Sequence, residues 1–364
     1  MADRHSAPFT PDELLSLDNT IAATEMPADL RSSMSDRRVY ISTTGTDDGE
    51  LARIGDEITA SASFQLADGA FLGQLGRHDE IDDKIGSTGD SESSGYRPDW
   101  QPRVYHPKLA PMEIRTEPKG PDGTRVRLHK LFPPENRTPF RPEGYPWTCI
   151  GRIQVFEAGV SKGIGTATLV GRRTILTSAH MMPRNPGAGW AVLFVPGYFD
   201  GQSTAGVSSW CEAYHAVVAP SAVSDSTQDR DLAILKLYQP LGDALGWMGV
   251  KTYDDDWEDS GVWTLVGYPG SVTGGERPTF QGGIPVIDDD PSGDWTEVEH
   301  RGDATDGNSG GPLFGQWPDG PYLVGVHSGD EYRVVLGVVA EDNNVCAGGV
   351  GMPRMVVAKN AEWP

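Results

Sequence analysis

With 364 residues the chain is long enough for about two domains of ordinary size, and its apolar share of 37% is adequate for packed cores. A formal charge of -22 repels phosphate backbones and anionic bilayers, so binding to nucleic acid or membrane surfaces by counterion release is disfavoured. The 45 glycines and 28 prolines are scattered without period, which favours many short strands and turns over a helical bundle.

No stretch approaches the length of a membrane span. The opening Met1-Ala2-Asp3-Arg4-His5-Ser6 lacks the charged-then-apolar order of a secretory signal, so a soluble chain without an export signal is expected. Thr10-Pro11-Asp12-Glu13-Leu14-Leu15 reads as a helix start, with Thr10 as cap, Pro11 at the first helical position and Glu13 closing a capping box. Residues 77–101 hold too few apolar groups to offset the entropy of ordering and are predicted to be a disordered linker. A proline-rich stretch, 133–146, follows. The expected division is therefore an N-terminal region, 1–135, serving as prosegment, regulatory arm or interaction tail, and a second domain, 136–364, that carries the chemistry.

Beyond Trp147-Thr148-Cys149-Ile150 the apolar runs are short and β-branched: 150–156, 165–170, 174–176, 191–195, 232–237, 262–266, 322–326 and 334–339. Runs of this length bounded by turns argue for an all-β fold of barrel or sandwich type, and only 353–361 looks helical. Cys149, Cys211 and Cys346 lack the paired spacing of a zinc site. They allow at most one disulfide, and three buried thiols without chemistry is the favoured reading.

Hydrolysing an amide takes an activated hydroxyl, a base, a group that holds the base in one tautomer, and donors for the oxyanion. Gly307-Asn308-Ser309-Gly310-Gly311-Pro312 sets a serine among small residues, so the backbone can turn tightly and aim the amides of Gly307 and Ser309 at one spot. Each such donor is worth ~3 kcal/mol of transition-state stabilisation. Thr174-Ile175-Leu176-Thr177-Ser178-Ala179-His180 is a buried strand that ends in an imidazole. Asp231-Leu232-Ala233-Ile234-Leu235 starts another strand with a carboxylate that burial leaves in need of a partner; Asp229 and Asp225 are the reserves. Two rival readings attach to nearby residues. Gly307-Asn308-Ser309-Gly310-Gly311 also satisfies the Gly-x-Ser-x-Gly elbow of esterases, although there the acid and histidine follow the serine. Asp288 to Asp294 with Glu299 mimics a calcium loop but lacks flanking helices, and a hairpin between strands explains it better.

In the order His180, Asp231, Ser309, these three motifs resemble the triad segments of chymotrypsin-fold serine proteases. Tyr145-Pro146-Trp147, Gly267-Tyr268-Pro269-Gly270 and Val326-His327 are similar to the glutamyl endopeptidase branch. The resemblance implies two six-stranded antiparallel β-barrels with a C-terminal helix, and a serine endopeptidase acting on proteins or peptides as a monomer, with no cofactor and no metal. It also implies an oxyanion hole at Gly307 and Ser309, and a substrate pocket drawn from His327, Ser328, Gly329, Thr305 and Asp303. His327 there favours a Glu or Asp before the scissile bond, whereas Asp303 would suit a basic side chain. The resembled family is commonly secreted. Asn308 departs from the digestive branch, which has an aspartate that pairs with a freshly cut N-terminus, so that activation route is not expected. A protease fold that has lost activity and only binds is the other alternative, though no triad member is missing.

Overall fold

β1 (Thr138–Arg141) leads the chain out of its proline-rich stretch, and six strands then close on themselves as an antiparallel barrel. They are β2 (Ile150–Glu157), β3 (Val160–Leu169), β4 (Thr174–Thr177), β5 (Trp190–Pro196), β6 (Ser209–Ala216) and β7 (Ala233–Leu237), ordered β5-β6-β7-β4-β3-β2 around the ring. The structure, a computed structural model, describes residues 7–35, 40–43, 50–53, 65–66, 92–111, 131–184, 189–335 and 338–364. β4 and β5 are buried at every position, as expected of β-branched and aromatic runs on a pleated surface with both faces covered. Ile153, Ile175, Val192, Phe194 and Ile234 are wholly buried in the core, each worth about 1.5–3 kcal/mol relative to exposure.

The second array contains β8 (Trp263–Gly267), β9 (Thr279–Ile284), β10 (Val286–Ser292), β11 (Trp295–His300), β12 (Pro312–Gln316), β13 (Pro321–Val335) and β14 (Val338–Gly348). Its ladder runs β10-β11-β14-β13-β12-β8-β9-β1, an open path among the described residues where the first lobe is a closed ring. An aromatic core fills it: Trp263 packs against Trp317 and Tyr253, with ring centroids 6.0 and 5.9 Å apart. The closing helix, Gly351–Glu362, buries Met352, Met355 and Val356 against the first lobe's core. The all-β class and this helix agree with the sequence reading. No helix among the described residues is long and apolar enough to cross a membrane.

Several expectations are met closely and others need correction. The helix Pro11–Leu15 carries the full capping box of Thr10 and Glu13. Residues 288–294 belong to the β10–β11 hairpin, but not as the turn between strands ending at Ile287 and resuming at Trp295 that the sequence suggests: the first strand runs on to Ser292, leaving 293–294 as the turn. The run 334–339, however, is not one strand: Val334 pairs with Val339 and Val335 with Val338, so it spans the tip of the long β13–β14 hairpin. All three cysteines are free, buried thiols, and the optional disulfide is not formed. Of the expected linker, 77–91 lies outside the described residues, whereas 92–101 is held on the protein body. The Trp100 indole donates to the Ala244 carbonyl at 2.8 Å, and the Tyr96 and Trp247 backbones pair, their rings 4.7 Å apart. The polar composition of that stretch concealed its two aromatic anchors.

Candidate active site

Register brings the first two candidate residues together. Thr177, at the end of β4, lies opposite Ala233, at the start of β7, so the residues just beyond one and just before the other emerge at the same rim. His180 sits there in a single turn of 3-10 helix, Ala179–Met181, and Asp231 follows another, Gln228–Arg230. The Asp231 carboxylate grips the histidine at two points. Oδ1 accepts from the His180 backbone N–H at 2.8 Å, and Oδ2 lies 2.6 Å from the ring Nδ1. Asp231 is wholly buried and His180 only partly, so the carboxylate is shielded while the far edge of the imidazole stays accessible. This contact puts the ring proton on Nδ1 and leaves Nε2 with a lone pair.

A third donor completes the carboxylate's shell. Ser328 Oγ donates to Asp231 Oδ2 at 2.6 Å, a role missed by a sequence reading that assigned Ser328 to the substrate pocket. The cause is again register. Pro312, at the start of β12, pairs with Val326, which brings Ser309, three residues before, and Ser328, two residues after, to one end of the second lobe. Burial opposes a charged carboxylate at Asp231, yet His180 and Ser328 prevail and hold it below its ordinary value. Burial likewise disfavours a charged imidazole, but the Asp231 charge and hydrogen bond outweigh it and raise His180 above its ordinary value.

Ser309 lies on a loop fastened from both lobes. Its carbonyl accepts from Thr166 N–H of β3 at 2.8 Å, and Thr166 Oγ1 donates to the Gly307 carbonyl at 2.8 Å. Within the second lobe, Gly310 N–H donates to the His327 carbonyl and His327 N–H to the Gly311 carbonyl. Gly307 adopts φ +99°, and a Cβ there would come within 2.1 Å of the Tyr268 carbonyl, so glycine is required. Among the described residues neither the Gly307 nor the Ser309 N–H has a protein acceptor. His180, Gly307 and Ser309 all line one cleft of about 670 Å³, together with Ser328, Gly329 and Asp330. Such a constellation has the parts for acyl transfer: a hydroxyl, an oriented base and two amides available to an oxyanion.

Three pocket candidates are not among the residues that line this cleft. Asp303 is wholly buried, its carboxylate accepting from the N–H groups of Phe132 at 2.6 Å and Asn136 at 2.8 Å, and from the Asn136 amide at 3.1 Å. It therefore cannot receive a basic substrate side chain, because the segment before β1 uses both its oxygens. Thr305 bonds Arg137 and Ser271. His327 is wholly buried, its ring 6.0 Å from that of His300. His300, His327 and Cys346 bring their ligand atoms within 4.8 Å of one another. His300 Nδ1, however, accepts from Gly302 N–H, so its proton sits on Nε2, 3.3 Å from Cys346 Sγ, and that nitrogen offers no lone pair to a metal. Burial also pushes the His300 pKa down to about 3, which keeps the ring neutral. The esterase elbow requires strand, turn and helix around the serine; here Ser309 leads into strand β12.

The trypsin family model matches residues 140–338, more than half of the chain. Among solved structures, a Glu endopeptidase in complex with MPD is 19% identical with a TM-score of 0.46, covering 64% of this chain and all of its own. The protease Anisep from Arthrobacter nicotinovorans is 20% identical with a TM-score of 0.41, covering 58% of this chain and 95% of its own. The thermostable serine protease AL20 from an extremophilic microorganism is 16% identical, with a TM-score of 0.41 and coverage of 58% and 96%. A search of curated proteins finds no match. The chain belongs to the trypsin family and is a serine endopeptidase of the chymotrypsin fold.

Proposed function

We propose that peptide bonds are cut through a triad of Ser309 as nucleophile, His180 as general base and Asp231 as the group that orients the histidine. His180 Nε2 takes the Ser309 proton as Oγ attacks the scissile carbonyl carbon, and the amides of Gly307 and Ser309 hold the oxyanion. Collapse breaks the C–N bond, the leaving amine receives the proton from His180, and a water deprotonated by the same imidazole releases the acyl group from Ser309. The observation that carries this reading is the two-point grip of Asp231 on His180 at the rim of a cleft that Ser309 also lines. Ser309→Ala is expected to lower turnover roughly a millionfold and to abolish labelling by a fluorophosphonate probe. A near-normal peptidase rate in that variant would overturn the assignment.

Preference for Glu or Asp before the scissile bond belongs to the same proposal. It is supported by the cations Lys162 and Arg184, which line the cleft, rather than by the buried His327. Asp306 and Asp330 line it too and favour a second reading, a basic side chain at that position. Peptides differing only at the residue before the scissile bond separate the two: cleavage chiefly after Lys or Arg removes the acidic reading. Residues 1–135 are proposed to act as an arm that supports the protease body.

A further inference from the structure

Directly before β1, residues 132–137 are stitched to the loop that precedes the nucleophile, and the central stitch is a buried guanidinium. Arg137 is 2% exposed. Its Nη1 donates to Thr305 Oγ1 at 2.8 Å and to Asn308 Oδ1 at 3.0 Å; Nη2 reaches Ser271 Oγ at 3.4 Å. The charge is balanced by Glu135, which accepts from Nε at 2.8 Å and Nη2 at 2.7 Å. Burial works against the Glu135 carboxylate, but the guanidinium beside it holds its pKa below the ordinary value. Asp303 secures the same segment through Phe132 and Asn136. Asn308 is itself buried, and its Oδ1 also accepts from Thr305 N–H at 3.2 Å, so one oxygen ties the loop both to itself and to the segment before β1.

Asn308 stands between Gly307 and Ser309, whose amides are the oxyanion donors of the reaction proposed above, and on that reading this inference rests. A side chain fixed at Asn308 fixes the peptide planes on either side of it, including that of Gly307, whose φ of +99° glycine alone adopts readily. We infer that Arg137 is a positioning residue for the oxyanion hole, holding the loop in its working shape from within the uncut chain. Five donors in a rigid fork serve Glu135, Thr305, Asn308 and Ser271 at once, a geometry that the single ammonium of lysine does not reproduce. A cut after Glu135 would divide this segment between the carboxylate and its guanidinium.

The test uses the full-length chain with Arg137→Gln, Arg137→Lys and Asn308→Ala, read by kcat and KM on a peptide, by the rate of fluorophosphonate labelling, and by affinity for a peptide boronic acid that forms a tetrahedral adduct. Arg137→Gln is expected to lower kcat on the order of 100-fold, the scale of one lost oxyanion donor, with KM within about threefold. Boronate affinity falls in parallel, and Arg137→Lys recovers only part. Millimolar guanidinium added to Arg137→Gln is expected to restore some of the rate. Should Arg137→Gln not fold, Asn308→Ala, which keeps the Arg137–Glu135 pair, is read in its place and is expected to lose kcat and boronate affinity together. A folded Arg137→Gln, or in its absence a folded Asn308→Ala, with wild-type kcat and boronate affinity overturns the inference. Wild type labelled somewhere other than Ser309 instead sinks the triad on which it rests.

Discussion

His180 must be neutral to take a proton, yet its partner stabilises the charged form. Because Asp231 raises the histidine above its ordinary value, the acid limb of kcat/KM is expected above the ~6.5 of a free imidazole, with activity lost as pH falls through it. Asp231→Asn removes that charge and presents a donor to Nδ1, so the limb should move down while kcat falls about 10⁴-fold, as is general for this triad. A pH–rate profile of both proteins checks the sign; an unshifted limb would detach Asp231 from His180. Ser328→Ala deletes a hydrogen bond to a buried carboxylate, worth about 1.5–3 kcal/mol, and is expected to cost roughly ten- to a hundredfold in kcat/KM. His180 and Asp231 were legible as candidates because each flanks an apolar strand whose burial the sequence advertises, and Ser309 because it sits in a run of small residues. The orientations of Asp303 and His327 were not, since they depend on which distant segment supplies partners: residues 132–136 for one, the face carrying His300 for the other.

Strand ends set the site, so substitutions there test the packing of whole elements. Gly310 has φ +80°, and a Cβ would lie 2.0 Å from Thr177 Oγ1 of β4 and 2.1 Å from the Thr166 carbonyl of β3. Gly310→Ala is thus expected to destabilise the fold by ~2 kcal/mol or more in denaturant melts, because a rigid carbonyl cannot yield. On β11, burial, helped by the nearby carboxylates of Asp229, Asp290 and Asp225, pushes Glu297 up to about 7. This folded-state value exceeds the ~4.3 of an unfolded glutamate, so the associated stability is present below the unfolded value and is lost as pH rises through about 7. Glu297→Gln should therefore raise the melting temperature at pH 8 and change it least near pH 4; a gain that does not grow with pH argues against the buried charge. The same elements show where sequence patterns stop. β5 is a continuous apolar run, and β4 and β7 are apolar but for Thr174, Thr177 and Lys236, so all three were readable as strands. β10, whose Asp288, Asp289 and Asp290 sit in a strand at the end of the second ladder, was readable only as a turn, since charged edge positions guard against further pairing and carry little β signal.

At the scale of the whole molecule, the described part of the N-terminal region embraces the protease body from outside the cleft. Phe9 N–H donates to the Gln316 carbonyl at 2.7 Å, Thr20 N–H to the Arg103 carbonyl at 2.8 Å, and the Trp147 indole to the Val104 carbonyl at 2.7 Å. Arg103 spans to the carbonyls of Pro318 and Asp319, both at 3.2 Å, while Trp100 reaches Ala244. The Thr20–Arg103 bond ties two stretches of the arm to each other and the remaining contacts hold them on the body, yet none of these arm residues lines the cleft. We propose that an arm so arranged contributes stability without gating access, and the two roles separate experimentally. Trp100→Ala and Arg103→Ala should each cost about 1–3 kcal/mol, seen as a lower melting temperature, while kcat and KM measured well below that temperature stay at wild-type values. An inhibitory prosegment gives the opposite pattern, because loosening it would raise kcat/KM and, in an acid-directed peptidase, would favour self-cutting after Glu135 or Glu143. N-terminal sequencing of incubated wild type beside Ser309→Ala reads that outcome directly. Identical intact ends with unchanged kinetics support a supporting arm, and new ends in the wild type alone, accompanied by a rising rate, would return these residues to the role of a prosegment.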